Sequence, residues 1–252
     1  MNAPPIVTTR GRIRTLEFLP GNVQSEMDLA DPLRLVLDYT RAMMGFALFV
    51  PHPRHIVMVG LGGGSLARFC RHAFPDARIT VLEIRADVIA LRDQFQVPPD
   101  DARFRVVHTD ALPWLEACQE PVDVLLVDGF DAMGLHAPLA SARFLGACRR
   151  VLDQYGVLVM NIFSYDTALP AVLARLHLMY GAHVSWLEGV AGNNRILFAL
   201  KAPFDRPAGP VAPAVKVQNW MAKQHGFRFA QLNRWLIAWL VWRLRHSKKK
   251  HS

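Results

Sequence analysis

The chain has 252 residues, of which 52% are hydrophobic, and this suits one α/β domain with terminal additions or two small domains. Its three cysteines are odd in number and lack C-x-x-C spacing, so the sequence supports neither a disulfide framework nor a zinc site and favours a reducing cytoplasm. The net charge of +8 lies at the C-terminal end, because residues 223–252 hold eight Lys or Arg and no acid, which leaves 21 basic and 21 acidic residues in 1–222.

Residues 1–50 predict a short N-terminal segment of one strand and one helix. The strand is expected at 13–19, followed by a turn at Gly21-Asn22. Asp31-Pro32 indicates a helix start, because proline suits the first helical position. Apolar residues at roughly helical spacing extend this helix to about residue 48, and Pro51-His52-Pro53 ends it.

From residue 54 the chain alternates between strand-like and helical runs. Strands are predicted at 55–59, 78–83, 104–108, 122–127 and 156–162, and helices at 65–73, 86–95, 111–118, 139–151 and 168–179. This alternation predicts right-handed parallel βαβ units and hence a doubly wound sheet. Two last strands, 183–188 and 195–200, predict an antiparallel hairpin. We therefore expect residues 51–201 to form a Rossmann-like α/β domain with the layout of class I S-adenosylmethionine-dependent methyltransferases.

The C-terminal region has a different composition. Residues 202–219 are rich in Pro, Ala and Val and predict a linker, and residues 220–252 predict a basic amphipathic helix, at about 229–245, with a tail. Trp235, Trp239 and Trp242 fall on one face of that helix. The helix is expected to pack on the domain or on a second subunit, most simply in a homodimer, with contact to an anionic membrane surface as an alternative. Nucleic acid is the least favoured partner, since the body is neutral.

A glycine-rich loop follows the first predicted strand of the domain. Gly60, Gly62 and Gly64 let the backbone turn sharply and approach a ligand closely. Glu83 closes the next strand at the spacing of a carboxylate that binds ribose hydroxyls. Asp110-Ala111 follows the third strand, where an acid reaches an adenine amino group. The pattern predicts a nucleoside site, with a purely structural turn and a dinucleotide site as alternatives.

Two carboxylates follow the apolar strand 122–127, in the segment Asp128-Gly129-Phe130-Asp131. Because parallel strands end at one edge of the sheet, these acids are expected beside the nucleoside site, where they suit a cationic substrate. An alternative role for Asp128 is to anchor its loop. Asn161, at the end of the fifth strand, is a further candidate. His108, His136 and His177 show no metal-ligand spacing, and no metal is expected.

These motifs belong to a longer run of similarity. Residues 54–165 resemble the spermidine synthase family, the polyamine aminopropyltransferases, in the stretches VMVGLGGGSLARF, ITVLEI, VVHTDA, VDVLLVDGFDAMG and LDQYGVLVMNIF. In that family the fourth strand ends in a D-x-x-D-P-x-G-P loop whose acids hold the diamine and assist its attack on the propyl carbon beside the sulfonium. The resemblance implies a catalytic role for Asp128 and a substrate-binding role for Asp131, and it matches Tyr39 and Gln24 to substrate-side positions.

The sequence departs from the family pattern at the co-substrate end. The family loop reads GGGDGG, and its aspartate grips the amino group of decarboxylated S-adenosylmethionine. Here Gly63 occupies that position, with Ser65 nearby. Arg85 stands where the family has an Asp after the ribose-binding Glu, and Ala132 stands where it has a Pro.

Three hypotheses follow for function. The resemblance implies aminopropyl transfer from decarboxylated S-adenosylmethionine to a diamine such as putrescine. The missing GGGDGG aspartate favours, as an alternative, methyl transfer from S-adenosylmethionine itself, since Gly63 removes the repulsion that would exclude the cofactor's carboxylate. A third hypothesis is a non-catalytic member of the family that binds a nucleoside or a partner.

Overall fold

A computed structural model describes residues 4–131, 134–187, 189–201 and 227–246. Its largest element is a seven-stranded sheet with the spatial order β11-β12-β10-β7-β4-β5-β6. The strands are β4 (His55–Val59), β5 (Arg78–Glu83), β6 (Phe104–His108), β7 (Val122–Val127), β10 (Leu152–Phe163), β11 (Val184–Trp186) and β12 (Asn194–Leu200). Strands β10, β7, β4, β5 and β6 run parallel, and β12 pairs antiparallel with both β10 and β11. The predicted parallel sheet with a C-terminal hairpin is confirmed.

Helices cover both faces of this sheet. They are α1 (Asp38–Met43), α2 (Ser65–Ala73), α3 (Ala86–Ile89), α4 (Ala111–Ala117), α5 (Ala142–Val151), α6 (Leu169–Tyr180) and α7 (Phe227–His246). Successive residues of β4 alternate between two cores: Met58 packs on the α1, α2 and α7 side, and Val57 on the α4, α5 and α6 side. The strands are apolar on both faces because both faces are buried. This arrangement confirms the doubly wound fold.

The N-terminal segment differs from its prediction. It forms a three-stranded antiparallel sheet of β1 (Ile6–Arg10), β2 (Ile13–Glu17) and β3 (Val23–Asp28). Only β2 was predicted. Leu16 and Met27 are fully buried and join the core beneath α2, so this small sheet is packed against the main domain.

Two predicted helices are shorter than expected. The helix predicted over 31–48 consists of α1 followed by a 3-10 turn at Met44–Leu48, and residues 31–37 precede it without helical structure. The helix predicted over 86–95 ends at Ile89, and turns follow it to Gln96, whose φ is +50°. In both segments the apolar residues still reach the core, although the backbone does not remain helical.

The C-terminal helix α7 packs on the domain through one face. Ile237 and Leu240 are 2% and 4% exposed and belong to the core that α2 and the 3-10 turn at Met44–Leu48 also line. Arg245 forms an ion pair with Asp31 at 2.6 Å. Of the two packing modes that the sequence predicted, packing of the helix on the domain is therefore observed, but through the face opposite Trp235, Trp239 and Trp242, which remain exposed. The predicted linker 202–219 lies outside the described residues.

Two short strands, β8 (Phe130–Asp131) and β9 (Gly134–Leu135), pair after β7. Phe130 of β8 lines a cavity above the sheet. Among the helices that the structure describes, none is long and apolar enough to cross a membrane.

Candidate active site

A cavity of about 430 Å³ opens above the carboxyl ends of the parallel strands. Strand order reverses between β4 and β7, because β5 and β6 follow on one side of β4 while β7 and β10 follow on the other. Ligands of open α/β sheets bind at this reversal. The lining includes Gln24, Tyr39, Gly60, Gly62, Glu83, Asp110, Ala111, Asp128 and Asn161. The structure thus brings most of the predicted site residues into one cavity.

The glycine loop abuts the acidic loop directly. Gly60 has φ +96°, and a Cβ atom placed on it would lie 2.3 Å from the carbonyl oxygen of Asp128. Glycine is required here for conformation and for contact. Gly62 has φ +51° but faces more open space, and it lines the cavity. Gly64, at φ +69°, packs against Val97 at the start of α2 and lies behind the cavity rather than in its lining.

Glu83 ends β5 and holds the glycine loop. Its side chain is 7% exposed, and its two carboxylate oxygens accept hydrogen bonds from the backbone N–H groups of Leu61 and Arg85, each at 2.8 Å. Burial raises the pKa of Glu83, and the backbone donors oppose that rise. Ile84 is a third backbone donor to this carboxylate, which leaves about one of its four acceptor sites for a ribose hydroxyl while it anchors the loop.

Asp110 is the N-cap of α4. Its Oδ1 accepts from the Leu112 N–H at 2.9 Å, which satisfies one of the helix's free amide groups. The side chain is exposed at the cavity edge beside the buried Ala111. The cap explains why an acid stands here, and the second carboxylate oxygen remains available for a ligand donor.

Asp128 lies at the end of a hydrogen-bonded chain of side chains. Asn161 Nδ2 donates to Asp128 Oδ1 at 2.9 Å, and Asn194 Nδ2 donates to Asn161 Oδ1 at 2.9 Å. Asn161 is 1% exposed. The Asp128 carboxylate is partly buried, and this burial raises its pKa to about 6, with the hydrogen bonds from Asn161 and Tyr39 acting in the opposite direction. The hydrogen bonds from Asn161 and Tyr39 therefore fix the orientation of the carboxylate.

Tyr39 joins the acidic loop to the N-terminal sheet. Its hydroxyl is hydrogen-bonded to Asp128 and also lies 3.3 Å from the carbonyl oxygen of Gln24. One O–H donates to one of these acceptors at a time, and the charged carboxylate is the stronger acceptor. Burial and the neighbouring carboxylate raise the pKa of Tyr39 well above its ordinary value. Tyr39, Gln24 and Asp128 thus share one wall of the cavity. The side chain of Asp131 lies outside the described part of the chain.

The position of the family's missing aspartate is filled by other side chains. A Cβ atom on Gly63 would lie 2.7 Å from Ser25 Oγ and 2.9 Å from a ring carbon of Phe95. A carboxylate at position 63 therefore does not fit without displacing Ser25, which is 5% exposed and lines the cavity. Ser25 was not identified in the sequence because nothing marks a single buried serine in a short strand.

Arg68 supports the glycine loop from behind. Its guanidinium is buried, and it donates to the carbonyl oxygens of Gly63 and Phe95, each at 2.5 Å, and to that of Pro32 at 3.2 Å. Burial lowers its pKa to about 10. These acceptors are neutral oxygens, so the loop rests on a positive charge next to the position where the family carries an acid.

No group of three or more His, Cys, Asp or Glu side chains with the geometry of a metal site occurs within the described ranges.

Asn161 and Asn194 are the site residues whose importance the sequence understated. They meet because β12 pairs antiparallel with β10, with Asn194 opposite Phe163.

A glycine loop after β4, a buried carboxylate at the end of β5 and an acid after β7, on a sheet with a reversed C-terminal hairpin, are typical of transferases with the class I S-adenosylmethionine-dependent fold. Residues 37–168 match the family model for the spermine/spermidine synthase domain. The chain is 37% identical over 196 residues to a polyamine aminopropyltransferase of Chromobacterium violaceum, covering 77% of this chain and 75% of that one. The chain therefore belongs to the spermine/spermidine synthase family.

Solved structures share the fold of this chain. A probable spermidine synthase from Corynebacterium glutamicum superposes with a TM-score of 0.69 at 19% identity, covering 98% of this chain and 92% of that one. This likeness shows the fold. Human methyltransferase-like protein 13 in complex with SAH superposes with a TM-score of 0.58 at 25% identity, over 75% of this chain and 95% of that one. A probable spermidine synthase and a methyltransferase-like protein thus both share the fold of this chain.

Proposed function

We propose that the protein transfers an aminopropyl group from decarboxylated S-adenosylmethionine to a diamine such as putrescine. The observation that carries this proposal is the Asp128 carboxylate, which Asn161 and Tyr39 orient at the strand reversal, directly beside the glycine loop. A carboxylate at this place suits a cationic acceptor, which it can bind through charge-assisted hydrogen bonds. An amine acceptor is a cation at neutral pH, because its pKa resembles that of lysine, about 10.4.

The proposal assigns the cavity residues to two groups, one that binds the nucleoside and one that binds the acceptor amine. Gly60, Gly62 and Glu83 would hold the nucleoside, and Asp110 with Ala111 would lie against its base. Asp128 would bind the acceptor ammonium, with Tyr39 and Gln24 beside it and Asp131 assigned to the far amine. The contact between Gly60 and the Asp128 backbone supports this division, because it sets the two walls next to each other.

The reaction itself is a displacement at carbon. The deprotonated amine nitrogen forms a bond to the propyl carbon attached to the sulfonium, and the carbon–sulfur bond breaks to release methylthioadenosine. The proton that the ammonium loses passes to Asp128 or to water. A carboxylate whose pKa is raised to about 6 accepts a proton more readily than an ordinary aspartate. Its larger contribution is to fix the amine in line for attack.

Methyl transfer from intact S-adenosylmethionine is the second candidate. Two observations favour it: Gly63 with Ser25 replaces the acid that would repel a carboxylate, and Arg68 places a positive charge behind the same loop. The similarity to a methyltransferase-like protein bound to SAH points the same way. The two candidates require opposite charges at this end of the cavity, so the co-substrate distinguishes them.

The test is a product assay on the purified chain with putrescine and either co-substrate. Release of methylthioadenosine from the decarboxylated compound, lost in Asp128→Asn and kept in Asp93→Asn, an exposed acid outside the cavity, is the expected result. Turnover of intact S-adenosylmethionine alone would establish the second candidate. Tight nucleoside binding without turnover of either would assign the chain to the non-catalytic class.

A further inference from the structure

The outward face of α7 carries three exposed tryptophans. Trp235, Trp239 and Trp242 are 76%, 49% and 61% exposed, whereas Ile237 and Leu240 on the opposite face are almost fully buried. Leu232, at 53% exposed, extends the same outward face. These four residues are called the tryptophan face. A concentration of large apolar side chains at the surface marks an interaction site.

Basic side chains flank the tryptophan face. The Arg243 guanidinium lies 5.4 Å from the centre of the Trp239 ring. On the other flank, Arg234 donates to the carbonyl oxygen of Gly189 at 2.7 Å. The sequence continues with Lys248, Lys249 and Lys250, and no acidic residue occurs from position 223 onward. Arg234 and Arg243 therefore put positive charge beside the tryptophan face, and the sequence that follows α7 is also basic.

This charge decides between two occupants. A second copy docked through the same face would bring two such positive regions together, and this costs free energy through like-charge repulsion. An anionic lipid surface instead supplies the complementary charge, together with an interfacial layer in which tryptophan rings are favoured. Because α7 is not apolar enough to cross a bilayer, it would lie along the surface.

We propose that the tryptophan face docks the protein on an anionic membrane surface. Ile237 and Leu240 stay in the protein core while the opposite face contacts lipid, so docking requires no unfolding of α7. The rings enter the headgroup region, and the basic side chains on both flanks contact lipid phosphates. This inference is independent of which group the enzyme transfers.

The test is flotation of the full chain with vesicles of phosphatidylcholine alone or with roughly 30% phosphatidylglycerol, at physiological ionic strength. Binding to the anionic vesicles only, with a blue shift of tryptophan fluorescence, is the expected result. Lys248→Gln with Lys249→Gln and Lys250→Gln should weaken binding on the order of 100-fold, since each lysine near such a surface contributes about fivefold.

The apolar contribution has its own variant and control. Trp235→Ala with Trp239→Ala and Trp242→Ala should weaken binding at least about tenfold, because binding scales with the apolar area that enters the interface. Leu178→Ala, which removes an 86% exposed side chain from α6, should leave binding unchanged. Turnover measured without vesicles should be the same in all of these variants.

Three results would overturn the proposal. The first is no binding to anionic vesicles by a chain that is folded and turns over substrate. The second is equal binding by the tryptophan variant and the parent chain. The third is a dimer in sedimentation that the tryptophan substitutions dissociate, with no vesicle binding, which would assign the face to self-association.

Discussion

At the scale of single residues, Asp128 is under two opposing constraints. Its carboxylate is partly buried, which disfavours its charge, and it receives hydrogen bonds from Asn161 and Tyr39, which favour it. Burial is the larger effect, so the pKa rises to about 6. An anion kept at some cost in free energy is typical of a functional position. The ionised carboxylate lowers the stability of the folded chain, but it is the form expected to bind an ammonium group. Stability and diamine binding should therefore change in opposite directions as the pH rises.

The first prediction concerns activity and pH. Since only the ionised Asp128 attracts an ammonium group, kcat/KM for the diamine should fall about tenfold per pH unit below pH 6, as for protonation of a group on the enzyme form that binds the diamine. The measurement is kcat/KM from pH 5 to 8 with saturating co-substrate. An acid limb near the ordinary aspartate value of 3.8 would contradict the assigned role.

The second prediction concerns stability. Because the folded pKa of about 6 exceeds the unfolded value of 3.8, the ionised carboxylate lowers the free energy of unfolding above pH 6, and this cost disappears as the pH falls toward 3.8. Asp128→Asn should therefore raise the free energy of unfolding at pH 7.5 by at most about 3 kcal/mol, and by much less at pH 4.5. Urea unfolding at both pH values measures this.

The third prediction separates orientation from binding. Asn161→Ala removes the donor to Asp128, so kcat/KM for the diamine should fall about 10- to 100-fold while the affinity for methylthioadenosine stays the same. The acid limb of the pH profile should also move upward, because a hydrogen bond that favours the charged form is lost. Asn194→Ala, one step further from the carboxylate, is the control and should have a smaller effect.

At the scale of elements, the glycine loop is shaped by its neighbours. Gly60 and Gly62 both have positive φ values, but only Gly60 lies against the Asp128 backbone. Backbone conformation alone accounts for about 1 kcal/mol of cost for a side chain at either position. Any further difference in the cost of a side chain at Gly60 and at Gly62 therefore measures the contact between the glycine loop and the Asp128 loop.

The fourth prediction uses this matched pair. Gly60→Ala should lower the free energy of unfolding by several kcal/mol more than Gly62→Ala, since its Cβ would clash with a backbone atom at 2.3 Å. Gly60→Ala should also impair nucleoside and diamine binding together, whereas Gly62→Ala should act mainly on the nucleoside. Calorimetric titration of each ligand checks this, and similar losses in both variants would argue against the loop contact.

The parallel strands were predictable because their apolar β-branched runs are long enough to bury both faces. Strands β1 (IVTTR) and β3 (VQSEMD) were missed because both are short and half polar. Their sheet becomes evident only in the structure, where Leu16 and Met27 pack against the domain. Glu83, Asp110 and Asp128 were predictable from their positions at strand ends. Asn194 was not, because its contact with Asn161 depends on the antiparallel register of β12.

At the scale of the whole molecule, the N-terminal sheet and the C-terminal helix both pack against the central domain. The N-terminal sheet contributes Gln24 and Ser25 to the cavity, and α7 closes the core on the same side of the main sheet. Gly45 shows how close this packing is, because a Cβ atom there would lie 2.9 Å from Phe198 and 3.5 Å from Ile237. The C-terminal helix is thus part of the folded unit.

The fifth prediction follows from that packing. Ile237→Ala should lower the free energy of unfolding by about 2–5 kcal/mol, as for other buried large-to-small changes, whereas Trp235→Ala should change it by no more than about 0.5 kcal/mol. Thermal unfolding of both variants provides the comparison. A helix that docks only loosely would give equal, small effects for the two.

The contact between Gly60 and the carbonyl of Asp128 also has an evolutionary consequence. It sets the glycine loop against the acidic loop through main-chain atoms, which do not depend on the side chains elsewhere in the cavity. Lineages can therefore exchange the group that is transferred by replacing side chains at the rim, such as those at positions 63 and 25, while the spacing needed for attack at carbon is inherited unchanged. One ancestral scaffold can in this way give rise to enzymes of different chemistry without rebuilding its sheet.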